Sequence, residues 1–168
     1  MKVAVTRAMW TPLVAGFVVL VPGLIGLATG QLLLFPSLAP TAAIQANDPQ
    51  YRSARFYNVV VGHLGGLTSA CMVVLALGLA NDPSVFEMHH LTLLRVVAAV
   101  LSVMLALFIE KLLNAFHPTA ASTTLLVALG SFKPQWPDVI QIVLGVVIVA
   151  SVGEGFRRLR LFKEADAT

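Results

Sequence analysis

Apolar residues in this chain come in long unbroken blocks rather than in the short stripes of a soluble fold. No charged residue stands between Arg7 and Asp48, between Arg55 and Asp82, or between Lys111 and Lys133. Such blocks match bilayer-crossing helices, which need roughly 20 apolar residues each. The pattern predicts four spans, over about 12–35, 58–80, 91–115 and 137–156. Pro12 suits a first helical turn, whereas Pro22 falls inside the first span and predicts a kink. Gly16, Gly23, Gly26 and Gly30, and again Gly62 and Gly66, are small enough to admit a neighbouring helix. The stretch from Pro36 to Tyr57 is polar and reads as a connection, and Asn81-Asp82-Pro83 closes the second span. The first block is too long for a signal-peptide core and has no clear small-residue cleavage site.

His117-Pro118 interrupts the pattern. The apolar piece that follows, 119–130, would extend only about 18 Å as a helix, against a hydrocarbon core of about 30 Å. A half-helix or re-entrant segment is the expected form. Pro40-Thr41-Ala42-Ala43 recurs as Pro118-Thr119-Ala120-Ala121, and each copy lies between two long apolar blocks. The chain therefore reads as an all-α, polytopic membrane helical bundle: four transmembrane helices plus a short re-entrant or half-helix, with a two-fold internal repeat in a single domain, 1–168. Two spans per copy would relate the copies by an axis along the membrane normal and open both breaks on the same, non-cytoplasmic side.

Composition agrees with the pattern. The chain is 58% hydrophobic and 11% charged, with a mean hydropathy of +0.87, whereas soluble domains carry about a quarter charged residues. A soluble enzyme, a nucleic-acid binder and a disordered chain are excluded as first readings. Cys71 stands alone, so no internal disulfide forms. There is no HExxH, no His pair at i, i+4, no nucleophile elbow, no P-loop and no dinucleotide fingerprint. Neither enzymatic activity nor a cofactor is expected. With four spans, Lys2, Arg7, Arg95 and the basic tail fall on one side, and Arg52, Arg55, Lys111 and Lys133 on the other. The excess places both termini in the cytoplasm, and a bacterial inner (plasma) membrane is the expected location. The tail itself reads as a stretch held at the surface of anionic lipid.

Candidate chemistry gathers at the two breaks. Irregular backbone at membrane depth is tolerated where protein buries it or a water-filled cavity receives it. A helix start after each break would offer unpaired N–H groups and a positive dipole end to an anion. Ser37, Pro40, Thr41, Thr119, Ser122 and Thr123 surround those points. Glu110, Asn114 and His117 stand at i, i+4 and i+7 and share one face if the helix continues. An ionisable group inside a span usually faces the bundle interior, although Glu110 could equally pair with Lys111. His63, beside Gly62 and near Asn58, reads either as a pathway residue or as a buried imidazole bonded to a carbonyl. A metal held by His63, His117 and Glu110 would require the fold to bring them together. Protonation of His117 or His63 near neutral pH would offer coupling or gating. His89 and His90 read as solvated, and Gln31 as helix–helix glue.

Three blocks carry a resemblance to a known family. Phe35-Pro36-Ser37-Leu38-Ala39-Pro40-Thr41-Ala42, then Asn58-Val59-Val60-Val61-Gly62-His63-Leu64-Gly65-Gly66, then His117-Pro118-Thr119-Ala120-Ala121-Ser122-Thr123 resemble the HPP family of integral membrane proteins, in the family's order. Thr119 stands where the family motif has a second proline. The resemblance implies a four-helix membrane domain and, through cyanobacterial and chloroplast members, nitrite transport. The expectation is thus a transporter or channel for a small anion, with the lipid bilayer and that anion as partners. Four helices are few for an enclosed pathway, which suggests a homo-oligomer. A non-transporting assembly subunit is the alternative.

Overall fold

The computed structural model describes residues 2–166, and within them not the side chains of 2–8, 163 and 164, so those of Lys2, Arg7 and Lys163 counted above lie outside it. Among the described residues the chain forms seven α-helices and one 3-10 turn, with no strand. The long helices are α1 (Lys2–Thr29), α3 (Phe56–Ala76), α5 (Leu93–Leu112) and α7 (Trp136–Ala165), and each contains a stretch long and apolar enough to cross a membrane. Between them lie α2 (Leu38–Asn47), the 3-10 turn Arg52–Ala54, the single-turn α4 (Val85–Met88) and α6 (Ala120–Ala128).

Several boundaries depart from the sequence expectation for identifiable reasons. α1 stops at Thr29 because Gly30 takes a left-handed φ of +68° and Gln31 N–H bonds back to Gly26 C=O at 3.1 Å, which is the glycine-type helix ending. Residues 30–35, expected to be helical, are not: Gly30 is in a turn and 31–35 form no regular element. α5 ends in the same way three residues short of expectation. Asn114 adopts φ +57°, and Ala115 N–H returns to Glu110 C=O at 2.8 Å. Glu110, Asn114 and His117 consequently do not share a helical face. α7 runs on through the basic tail, where Glu154 pairs with Arg157 and Arg158. The first Pro-Thr-Ala-Ala, expected at a break, lies inside a true helix, α2, within the stretch whose polar residues read as a loop; the break itself is at 30–37, ahead of it.

The path of the chain reverses the expected symmetry. After Gly30 the chain folds back along α1, since a Cβ added at Gly26 would meet Leu33 and one at Gly23 would meet Leu34. α2 continues in that direction beside α7. Leu38 lies against Gly145, Gln45 lies against Gly153, and Arg157 donates to Pro49 C=O at 2.8 Å. Trp10 and Phe17 of α1 pack edge-on against Phe156 of α7. Residues 30–47 therefore traverse the bundle in two pieces, irregular then helical, back to the face where α1 begins and α7 finishes. We call this the terminal face. α3 starts there, with Phe56 N–H on Glu154 at 3.2 Å, and α5 returns to it, with the Tyr57 hydroxyl on Leu113 C=O at 3.0 Å.

The second half repeats this path upside down. From the terminal face, residues 113–119 re-enter the bundle, and α6 carries the chain to the opposite face. There Arg95, at the start of α5, donates to Ala128 C=O at 3.0 Å. Each half thus makes three passes, an odd number, so α1–α2–α3 and α5–α6–α7 run in opposite senses. α2 packs on α1 and α7, and α6 packs on α5 and α3. The repeat axis lies in the membrane plane rather than along its normal, and the two breaks enter from opposite faces. Because the two broken passes come as a pair, the termini stay on one face even though α6 completes a crossing. The two broken passes add a pair of crossings to the four long helices of the chain.

Positive charge is redistributed accordingly. Arg52, Arg55 and Lys111 join the termini, so nine of the eleven lysines and arginines belong to the terminal face. Arg95 is not a loop charge. It is 1% exposed, and its guanidinium donates to the carbonyls of Leu79, Asp82, Pro83 and Ala128. The main apolar core joins Val18, Leu38, Ala42, Val59, Ala70, Val127, Ile142, Val146 and Val149. Outward faces of α1 and α5 carry large exposed apolar side chains such as Leu13, Phe17, Leu24, Leu101, Met104 and Phe108. Those faces suit lipid.

Candidate functional site

The two half-helices start at the centre of the bundle, from opposite directions, and their first residues meet. Ser37 and Thr119 occupy the cap positions of α2 and α6, yet neither side chain caps its helix. A serine or threonine there usually accepts a backbone N–H. Here both hydroxyls turn inward. Ser37 Oγ lies 2.7 Å from Thr123 Oγ1, and Thr119 Oγ1 lies 2.7 Å from Thr41 Oγ1 and within bonding distance of His117 Nε2. By place in the half-helices Ser37 matches Thr119 and Thr41 matches Thr123, so the contacts Ser37–Thr123 and Thr41–Thr119 exchange with one another about the repeat axis.

Two imidazoles complete the cluster. His63, from α3, reaches Thr41 through Nε2 at 3.1 Å and Thr123 through Nδ1 at 2.7 Å. His117 reaches Thr41 through Nε2 at 3.2 Å, and its Nδ1–H donates to Ser53 C=O at 2.8 Å. The ring centroids are 5.1 Å apart. Thr41 also donates to Ser37 C=O at 2.9 Å. All six residues are buried, five of them completely and Thr119 at 8% exposure. α3 can approach this closely because of its glycines. A Cβ at Gly62 would sit 2.8 Å from His117 Cβ, and one at Gly66 would overlap Thr124 Oγ1. The small-residue face is therefore spent within the chain, on α6.

Protons are scarce in this cluster. With both imidazoles neutral, His117 Nδ1–H is committed to Ser53. The remaining donors are four hydroxyls and one N–H of His63, and they serve seven short contacts. Each hydroxyl donates only once, so at least two contacts have no proton. One consistent circuit runs from Ser37 to Thr123, His63, Thr41 and back to Ser37 C=O, and it leaves the Thr41–Thr119–His117 corner short.

A cavity of about 490 Å³ opens on the terminal face beside this cluster, lined by Tyr51, Arg52, Ser53, Asn58, Leu107, Glu110, Lys111, Asn114 and Phe116. Asn58 donates from Nδ2 to Phe116 C=O at 3.2 Å and toward Asn114 C=O at 3.4 Å. Glu110 links cavity and cluster, because its Oε2 accepts the His117 N–H at 3.0 Å. It thus anchors the break instead of joining the imidazoles around a metal. Among the described residues, no three His, Cys, Asp or Glu side chains converge on a common point.

Of the residues singled out by sequence, Ser37, Thr41, His63, His117, Thr119 and Thr123 come together at the axis. Asn58, Glu110 and Asn114 line the cavity. Pro40 faces outward and is exposed, and Ser122 is only half-buried and makes no contact with the cluster. Both lie one residue from a participant, on the wrong side of a half-helix. Ser53, whose carbonyl fixes the His117 tautomer, carried no signal in the sequence because its role is played by the backbone. Gln45 was likewise missed. Its amide ties α2 to Ala54 C=O and Ala150 C=O, at 3.2 and 3.3 Å.

No curated protein and no solved structure matches the chain. The family model described as HPP, transmembrane region, matches residues 1–164. Motif order, four apolar spans and this family match agree, and the chain belongs to the HPP family of integral membrane proteins.

Proposed function

We propose that this protein is a transporter or channel for a small anion, with nitrite the first candidate from the family resemblance. The observation that carries the reading is the meeting of the first turns of two half-helices, from opposite faces, through the contacts Ser37–Thr123 and Thr41–Thr119. Broken helices whose positive ends converge near mid-bundle on hydroxyl donors are a recurrent way of holding an anion at membrane depth. Inverted repeats also supply two equivalent gates. On the terminal side the cavity comes within one residue of the cluster, at Ser53 and Glu110. On the other side Phe35 and Phe132 are buried edge to face at 5.6 Å, and Gln141 bonds Gln31 at 3.2 Å. The arrangement reads as a carrier open to its terminal face. The excess of cationic residues on that face supports the reading that it is the cytoplasmic one.

The test is exchange of isotopically labelled nitrite across proteoliposomes with no imposed gradient, beside a His117→Ala variant. Exchange in the wild type that the variant loses supports the pathway. No exchange from well-folded wild-type protein removes nitrite and favours the assembly-subunit alternative.

A further inference from the structure

Glu110 closes the floor of the terminal cavity with half of its carboxylate uncommitted. Its side chain is 1% exposed, Oε2 accepts the His117 N–H, and Oε1 has no partner. Two cations, Arg52 and Lys111, share the cavity lining with it, but neither pairs with it. Tyr51 and Arg52 come from the 3-10 side and Lys111 from its own helix. From α3 come Tyr57, bonded to Leu113 C=O, and His63, a turn deeper and bonded to threonines. His117 commits its Nδ1–H to Ser53. Among the described residues the ion pairs belong to Glu154, and none involves Glu110. A buried carboxylate oxygen with no donor is costly, and an ionisable group inside a membrane bundle marks an ion or proton path by default.

A second observation points the same way. The hydroxyl–imidazole cluster that Glu110 touches through His117 holds fewer protons than contacts, so an arriving proton finds unfilled acceptors. An anion approaching the cluster from the cavity must also pass the Glu110 carboxylate, whose charge repels it.

We infer that Glu110 is the proton-carrying group of transport, taking one proton on Oε1 with each anion. This rests on the transport reading above. The proton comes from water in the cavity, neutralises the carboxylate while the anion occupies the cluster, and returns to water when the anion leaves, so one proton and one negative charge cross together.

The experiment uses nitrite as the probe in proteoliposomes holding a gradient of one pH unit. One proton per anion sets an accumulation ratio of about tenfold per pH unit. That ratio is independent of rate. Glu110→Gln keeps the acceptor for His117 N–H but cannot titrate, and its accumulation ratio is expected to fall to about one. Glu110→Asp keeps a carboxyl and has to keep the ratio. A coupled Gln variant or an uncoupled Asp variant overturns the assignment, as does wild-type exchange that no pH gradient drives uphill. Should the Gln variant fail to fold, an impermeant pH dye outside wild-type and Asp vesicles decides. One proton has to disappear per nitrite taken up, and none overturns the proposal. Wild-type vesicles without any exchange refute the transport reading itself, a different outcome from exchange without coupling.

Discussion

Thr41 has one hydroxyl proton and four partners, namely Ser37 C=O, His63 Nε2, His117 Nε2 and Thr119 Oγ1. Removing the hydroxyl while keeping the shape strands several buried polar atoms at once. Thr41→Val is expected to cost about 1–3 kcal/mol, the penalty for a buried group left unsatisfied, and to abolish nitrite exchange. Thr41→Ser is expected to retain both, with thermal melts in detergent and the exchange assay as readouts. Glycine gives a complementary test of packing. Gly62→Ala puts a methyl 2.8 Å from His117 Cβ and 3.1 Å from Ala115 C=O, whereas Gly16→Ala meets nothing within 4 Å. The first is expected to lower stability by about 1–3 kcal/mol through overpacking. The second is expected to leave the melt unchanged or raise it slightly, since alanine favours helix over glycine.

At the scale of elements, Arg95 shows how a half-helix is held. Its guanidinium gathers carbonyls from the loop after α3 and from the end of α6, where a cation also meets the negative end of the helix dipole. Arg95→Met would leave those carbonyls unpaired inside the protein. We expect a loss of at least about 3 kcal/mol, the scale of a hydrogen bond to a charged group, read as a lower melting temperature. Arg95→Lys should recover only part of it, because an ammonium cannot reach acceptors spread around a planar fork. The element scale is also where sequence reading reached its limit. Four apolar spans were legible because bilayer length forces about 20 apolar residues into each. α2 was not, because Gln45, Asn47 and Asp48 face protein or the terminal rim, and so the segment needs no apolar run. The ends of α1 and α5 were misplaced for a related reason: apolar residues continue past Gly30 and Asn114, and only the backbone turns.

For the whole molecule the decisive quantity is the number of passes in each repeat. Three passes invert the second half and put residues 48–55 on the terminal face. Two would keep the halves parallel and put the same residues opposite. In a Cys71→Ala background, Asp48→Cys is expected to react with an impermeant maleimide from the same side as Asp166→Cys, and Asp82→Cys from the other side. Labelling of Asp82→Cys together with Asp166→Cys, with Asp48→Cys reacting only from the other side, would refute the inverted arrangement.

The sequence by itself determined that the chain is membrane-embedded, that broken segments stand between its long apolar blocks, and that hydroxyl and histidine side chains gather near them. Those are properties of composition and local order, and burial in lipid imposes them residue by residue. Only the tertiary structure decided that the breaks enter from opposite faces, that Thr41 and Thr119 touch, and that Glu110 caps a backbone N–H. Sense of crossing and side-chain meeting depend on where the chain turns back. Two residues with left-handed backbone, Gly30 and Asn114, set those turns, and nothing in the hydropathy around them records it.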